Sequence, residues 1–397
     1  MSPQLYLDTA RLGKMSLGAQ HALSEFHSLA GDIGCCMYFE EFLEHGFTAA
    51  RDDLPVLRTW RGISGLKRRL KDFVGNEQTS GLLLANRSSQ LMTVAAHLLA
   101  ERCRNVLITD LTWPAYARIL RRVATVSGGR VTCVPLRRRI FSDRLSVADI
   151  CDVIQSVIES SGCDGLFVPL IDNLGIRFPL ADCAGRMRAS GQLQFVVADG
   201  AQTLGHVPLR LAQLPCDFLM AGCHKWLRAY QPLGLGFFGR PKTLPSIERT
   251  LTSLIAAGEV DDPLLQFTVQ QTMESRRSFT ETVNLSPLFS CHGALLEVEQ
   301  SCRGLDSRGN DRHQTLHELT DGSPWRPVLT DQSVRTQIAM LQRKSANGAS
   351  AEQIRRQFAE SGVALTAYSN NTLRLSLPFA ILTSIQKRQL ASAFRCT

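Results

Sequence analysis

From about residue 80 the chain alternates short apolar runs with longer amphipathic ones. "GLLLA", "NVLITD", "RVTCVPL", "DGLFVPL" and "FVVADG" have the length and composition of strands. Between them, "SSQLMTVAAHLLAERC", "PAYARILRRV" and "SVADICDVIQSVIES" repeat apolar residues at helical spacing. Strands that are apolar throughout need cover on both faces, and the connecting helices supply it. The pattern therefore predicts an α/β fold, a mainly parallel sheet with helices on both faces. Ligands of such sheets sit beyond the carboxyl ends of the strands, so the residues that follow each apolar run carry the functional information.

Near residue 286 the rhythm changes. "SPLFSCHGALLEVEQSC" reads as a long helix and "GLDSRGNDRHQ" as a polar, turn-rich stretch. Beyond it, "SAEQIRRQFAESG" and "AILTSIQKRQLASAF" read as helices, and "VALTAY" and "TLRLSL" as strands. The expected organisation is an N-terminal arm over 1–60, a large domain over 61–285 and a smaller α+β domain over 286–397.

With 397 residues, 44% of them apolar, the chain can bury a large core. No apolar run reaches the roughly 18 residues that span a bilayer, and "MSPQLYLDTARLG" lacks the regions of a signal peptide. A cytoplasmic protein without a membrane partner is the expectation. The 12 cysteines show neither C-x-x-C pairs nor metal-ligand spacing, which predicts reduced core thiols and no metal site. The formal charge of +8 comes from arginines spread along the chain. Clusters such as "KRRLK" read as solvated helix faces, and no nucleic-acid-binding signature accompanies them. A basic surface favours anionic small ligands.

Chemistry concentrates after two strands. Asp199 ends "FVVADGAQ", and Lys225 follows 26 residues later, with the strand "CDFLMAG" between them. Adjacent strands bring both side chains to one edge. This is the pairing that pyridoxal 5'-phosphate requires: a lysine holding the aldehyde as a Schiff base, and a carboxylate keeping the pyridine nitrogen protonated. Lys225, once released by substrate, is the natural base for the α-proton. Read singly, Asp199 is a strand-ending turn residue and Lys225 a surface lysine. A second anion site follows "LLLAN", where a polar turn opens a helix whose free N–H groups favour negative charge. Ser88 and Ser89 suit a phosphate cradle there, and a simple helix cap is compatible with that role.

The stretch "ADGAQTLGHVPLRLAQLPCDFLMAGCHKWLRAYQPLGLGFFG" resembles the signature of class V aminotransferase-fold, fold type I pyridoxal-phosphate enzymes, in the branch of isopenicillin-N-epimerase-like proteins, cysteine desulfurases and C-S lyases. Asp199, Gln202, His206, Asp217, His224, Lys225 and the glycines of "PLGLGFF" carry it across roughly forty residues. The resemblance implies that Gln202 approaches the cofactor's phenolic oxygen and His224 its phosphate. "AGC" stands where the family often has a hydroxyl before the lysine, so one phosphate contact is expected to be missing.

Asn86, Arg87 and Ser88 resemble the family's "N-A-T-E-A" turn, Arg87 through its backbone more than its guanidinium. Trp113 stands where the family places a ring on the cofactor face, though alone it reads equally well as a core plug opening a helix. In "IDNLG", spacing from Gly175 favours Asp172 near the cofactor oxygen, and chemistry favours Asn173. "SFTETVNLSP" resembles a segment whose threonine reaches the phosphate of a neighbouring subunit. Thr282 matches it, while Glu281, Val283 and Asn284 depart from it. A homodimer with shared sites is thereby implied. "NNTLRLSLPF" resembles the strand whose arginine forks onto the substrate's α-carboxylate, which assigns Arg374. Arg11 and Tyr38 are further substrate-binding candidates from the N-terminal part.

The cofactor is better specified than the reaction. A desulfurase needs a mobile cysteine in the small domain, yet none lies between Cys302 and Cys396. Kynureninase motifs are not identifiable. The leading expectation is a lyase that acts on a small-molecule amino acid, a cysteine S-conjugate, by α-proton removal and β-elimination to pyruvate and ammonia. Transamination, decarboxylating deamination and epimerisation use the same residues. A cofactor-free binding protein is the alternative outside enzymes, and Asp199, His224 and Lys225 together argue against it.

Overall fold

The computed structural model describes residues 5–34, 37–47, 51–77, 81–189, 191–270, 282–301, 309–328, 330–345, 348–369 and 371–396. Strand β1 (Leu5–Tyr6) opens the chain. The strands β2 (Leu82–Ala85), β3 (Asn105–Thr109), β4 (Arg130–Val134), β5 (Gly165–Pro169), β6 (Phe195–Asp199), β7 (Phe218–Gly222) and β8 (Gly234–Phe238) form one sheet in the order β2-β8-β7-β6-β5-β3-β4. Strands β4, β3, β5, β6 and β7 run parallel, whereas β8 is antiparallel to both of its neighbours. The anticipated α/β fold with a mainly parallel sheet is present.

Alternation along each strand divides the core. Val196 and Ala198 of β6 face one cluster, and Phe195 and Val197 face the other. Helix α1 (Leu17–Ile33), α2 (Met37–His45) and α3 (Gly62–Phe73) cover the first face. Phe289, from the helix Ser286–Ser301, stacks there on Phe26 at 4.3 Å. Helix α4 (Ser88–Arg102) and α5 (Pro114–Val126) cover the second face with Leu91, Leu98 and Leu120. Each such side chain, fully buried, contributes about 1.5–3 kcal/mol.

The C-terminal sheet holds β9 (Trp325–Pro327), β10 (Ile338–Arg343), β12 (Thr366–Tyr368) and β13 (Thr372–Ser376), antiparallel in the order β12-β13-β10-β9. Trp325, Phe358 and Phe394 fill its core. Two expectations need correction. "VALTAY" is not one strand: β11 (Val363–Ala364) pairs parallel with β1, and β12 pairs with β13. Buried Leu365 marks the switch between the two sheets. The polar stretch read as a turn runs into a helix, Gly309–Thr320, because Leu316 and Leu319 lie on one face of it against the third cluster.

The N-terminal segment reaches both sheets. Gly13 N donates to His224 O at 2.8 Å, and Ser16 N donates to Arg228 O at 3.0 Å. A Cβ on Gly13 would fall 1.9 Å from Lys225 O, so only glycine permits this crossing. Among the described residues, no helix is long and apolar enough to cross a membrane. Among the described residues, Cys103, Cys133, Cys163, Cys216, Cys223, Cys291 and Cys396 carry free thiols.

Candidate active site

The carboxyl ends of β6 and β7 set the two central groups. Asp199 is the last residue of β6, paired in register with Met220 of β7, and is buried. Its Oδ1 accepts from Ala201 N at 2.9 Å. Burial pushes its carboxyl upward, while the Ala201 N–H and the Lys225 charge oppose that shift. Lys225 lies three residues beyond β7 and is half-buried, its Nζ without a hydrogen bond among the described residues. Burial pushes its ammonium downward, Asp199 opposes, and Arg374 adds to the depression. An amine so placed loses its proton more readily than one in water.

The turn after Lys225 is strained. Arg228 and Tyr230 have φ values of 64° and 66°, a left-handed conformation that favours glycine. Arg228 is tied down on two sides, by its Nε bond to Lys14 O at 3.1 Å and by an ion pair to Glu297 at 3.6 Å.

His224 is half-buried, and burial together with Lys225 pushes its imidazole down to about 4. It is therefore neutral near pH 7, with one N–H to offer. Its Nδ1 is buried without a partner. Cys223 turns inward, where its Sγ meets Gln231 O at 3.4 Å, and supplies nothing to an anion beside the lysine. Gln202, expected at the cofactor oxygen, is held elsewhere: its Nε2 donates to Ala10 O at 2.7 Å, and its Oε1 accepts from Trp226 Nε1 at 2.7 Å. One amide N–H remains available. His206 stacks on Trp226, ring centres 3.7 Å apart and planes 4° from parallel. Asp217 sits at the opposite end of β7, bound by Arg188 and Val196 N. Its part in the motif is structural.

The second anion position is the start of α4. Asn86 is fixed by Asp262, which accepts from its N at 2.8 Å and its Nδ2 at 3.0 Å. Arg87 is exposed and is the N-cap residue, without a side-chain cap bond. Ser88 and Ser89 are half-buried in the first turn. A Cβ on Gly234 would fall 2.8 Å from Ser88 N and from Arg87 C, so only glycine lets β8 pack this closely on the backbone that opens α4. Trp113 caps α5 and is 49% exposed, which rules out the core plug and leaves a ring face available.

Arg374 on β13 is 5% exposed. Its Nη1 donates to Asn173 O at 3.2 Å, and its Nη2 to Asp8 Oδ1 at 3.3 Å and Thr366 Oγ1 at 3.2 Å. Its Nε is buried without a partner. Asn173 thus meets Arg374 through its carbonyl. Asp172 Oδ1 is consumed by Leu174 N and Ile176 N, its Oδ2 is buried and unpartnered, and burial pushes its carboxyl up to about 6. Arg11 is exposed, its Nε 3.9 Å from Asp8 Oδ2. Thr282 is exposed and far along the chain from these elements. The side chain of Tyr38, in α2, and Glu281 lie outside the described residues.

Two residues near these groups escape a sequence reading. Tyr116 donates to Ser88 Oγ at 2.7 Å. In the sequence it is one more aromatic on a helix. Asp8 follows β1 and bonds Arg374, although 366 positions separate the two. The fold reveals it, through the β1–β11 pairing and the Ser376 N bond to Leu7 O.

The residues fit pyridoxal phosphate on two observations: the unbonded Lys225 amine and the orphaned Nδ1 of His224. The comparisons with known proteins agree. Isopenicillin N epimerase of Streptomyces clavuligerus is 27% identical over 205 residues, 51% of this chain and 48% of that protein. Isopenicillin N epimerase of Amycolatopsis lactamdurans is 39% identical over 71 residues, 18% of this chain and 17% of that protein. The chain thus matches less than half the length of either curated relative. Among solved structures, a cystine C-S lyase in complex with its reaction product cysteine persulfide has a TM-score of 0.73 at 13% identity, covering 99% of this chain and 98% of that one. A mutant of a C-S lyase with glycine covalently linked to the pyridoxal-phosphate cofactor has a TM-score of 0.68 at 14% identity, covering 100% and 97%. The cysteine desulfurase CsdA from Escherichia coli follows with 0.67 at 17%, covering 98% and 93%. These likenesses establish the fold. The class-V aminotransferase model matches residues 57–319, and the chain accordingly belongs to the class-V aminotransferase family and is a pyridoxal-phosphate-dependent enzyme.

Proposed function

We propose that this enzyme removes the α-proton of an amino acid held by Arg374 and expels a sulfur leaving group from its β-carbon, as a C-S β-lyase acting on cysteine S-conjugates. The observation that carries the reading is the Lys225 amine: half-buried, unbonded among the described residues, and made less basic by its burial. Bound pyridoxal phosphate supplies an electron sink for negative charge at the α-carbon. Asp199 is the carboxylate that keeps a proton on the ring nitrogen, Trp113 the ring on the cofactor face, and His224, Ser88 and Ser89 the phosphate contacts. Lys225 anchors the aldehyde and, when substrate has displaced it, takes the α-proton. The Cα–H electron pair then forms the Cα–Cβ double bond while the Cβ–S pair leaves with sulfur as thiolate. Hydrolysis of the product yields pyruvate and ammonia.

Loss of sulfur as a free thiol is supported by the absence of cysteine between Cys302 and Cys396, where an accepting thiolate would be needed. Thr282 is exposed, in keeping with a homodimer in which it reaches the partner's site. A reducing, cytoplasmic setting suits the free thiols. Incubation of the holoenzyme with S-alkyl cysteines should release pyruvate and thiol in equal amounts. Release of neither would overturn the lyase.

A second reading is epimerisation, favoured by the two curated relatives, both isopenicillin N epimerases. Here the proton removed by Lys225 is replaced on the opposite face of the α-carbon. Chiral chromatography of recovered substrate separates the two: inversion without pyruvate assigns epimerisation.

A further inference from the structure

Tyr116 has no part in the chemistry above, yet it touches the phosphate turn. It lies in the first turn of α5, is 7% exposed, and meets Phe167 edge-on at 6.4 Å and 71°. Its hydroxyl donates to Ser88 Oγ at 2.7 Å, and neither hydroxyl has another side-chain partner among the described residues. The direction of this bond matters. A serine hydroxyl carries one proton and accepts through its lone pairs. When Tyr116 fills a lone pair, the Ser88 proton stays free for a second acceptor. Ser88 opens α4, where unpaired N–H groups and the helix dipole already favour an anion.

Tyr116 also stays a donor under working conditions. Burial, then the negative charge of Asp199, push its phenol upward, and the Ser88 bond offsets only part of this.

We propose that Tyr116 is a positioning residue for the cofactor: by donating to Ser88 it directs the Ser88 proton onto the phosphate. This rests on Ser88 being a phosphate contact. The bond is one of protein to protein, present before the cofactor arrives, so its contribution is preorganisation of the cradle.

The test is the dissociation constant of pyridoxal phosphate from apoenzyme, titrated by absorbance for wild type, Tyr116→Phe, Ser88→Ala and the double variant. Tyr116→Phe keeps the ring and its contact with Phe167. Each single variant is expected to weaken binding about three- to ten-fold, the scale of one hydrogen bond. The double variant should bind no more weakly than Ser88→Ala, because Tyr116 acts only through that hydroxyl. Ser88→Thr, which retains a hydroxyl, should bind like wild type. Ser88→Ala at wild-type affinity would remove Ser88 from the phosphate site. Weakening by Ser88→Ala but not by Tyr116→Phe, fully additive losses, or Ser88→Thr as weak as Ser88→Ala would leave Ser88 in place and overturn the role of Tyr116.

Discussion

Arg374 Nη2 lies 3.3 Å from Asp8 Oδ1, an ion pair that joins β13 to the second residue past β1, with both side chains buried. Thr366 Oγ1 donates to the same Asp8 oxygen at 2.5 Å, so the guanidinium is held from two sides before any substrate arrives. Its buried Nε remains unpaired. Leaving such a donor unsatisfied costs about 1–3 kcal/mol, which a substrate carboxylate would recover.

Arg374→Lys is therefore expected to raise KM for the amino acid by about ten-fold or more while kcat changes less, since lysine keeps the charge and loses the fork. Asp8→Asn should move KM in the same direction by a smaller factor, because Thr366 and Asn173 O still hold the guanidinium. Steady-state kinetics with the holoenzyme decides. An unchanged KM in Arg374→Lys would remove Arg374 from substrate binding.

Gly13→Ala puts a methyl group 1.9 Å from Lys225 O. One of the two backbones must move, and the displaced one carries either the N-terminal segment or Lys225, the lysine proposed to be catalytic. A stability loss of about 1–3 kcal/mol is expected, as for other overpacked sites. Urea denaturation measures it. Wild-type stability would mean that the crossing of residue 13 over Lys225 is looser than described.

His206 gives a pH dependence of known sign. It is buried, its Nδ1 lies 2.7 Å from Gln202 O, and burial pushes its imidazole from 6.5 down to about 3. The unfolded chain therefore binds a proton that the folded chain refuses. The stability carried by neutral His206 is complete above pH 6.5 and is lost progressively as pH falls toward 3. His206→Phe keeps a flat ring against Trp226 but cannot titrate. The stability difference between wild type and His206→Phe should fall by about 1.4 kcal/mol per pH unit below the unfolded pKa. Denaturation midpoints from pH 7 to pH 5 read it, and a difference independent of pH would contradict it.

Continuous apolar runs separated by amphipathic ones made the central sheet legible, because strands buried on both faces leave that pattern whatever their neighbours. The direction of β8 was not legible. "GLGFF" is as fully buried as the parallel strands β3, β5, β6 and β7, and burial carries no information on polarity. The division of "VALTAY" between two sheets was hidden for a similar reason, since pairing of β11 with β1 depends on residues far apart in the chain. For the candidate site, Asp199, His224 and Lys225 could be proposed from sequence because they follow strands in it. Asp8 and Tyr116 could not, because they bond Arg374 and Ser88 and have no motif of their own. The ties of Gln202 were equally hidden, since its amide is bound to Ala10 O and Trp226 Nε1 with one N–H left over.

Lys225 is proposed both to anchor the cofactor and to move the α-proton, and exchange with solvent tests this most directly. An amino acid without a β-leaving group, such as alanine, is incubated in deuterated water with wild-type enzyme and with Lys225→Ala, each loaded with pyridoxal phosphate. Proton NMR follows the α-hydrogen. The expected result is exchange by the wild type and a loss of at least about a hundred-fold in Lys225→Ala, the scale of a positioned general base. Exchange at the wild-type rate in Lys225→Ala would contradict the assignment and place the base elsewhere.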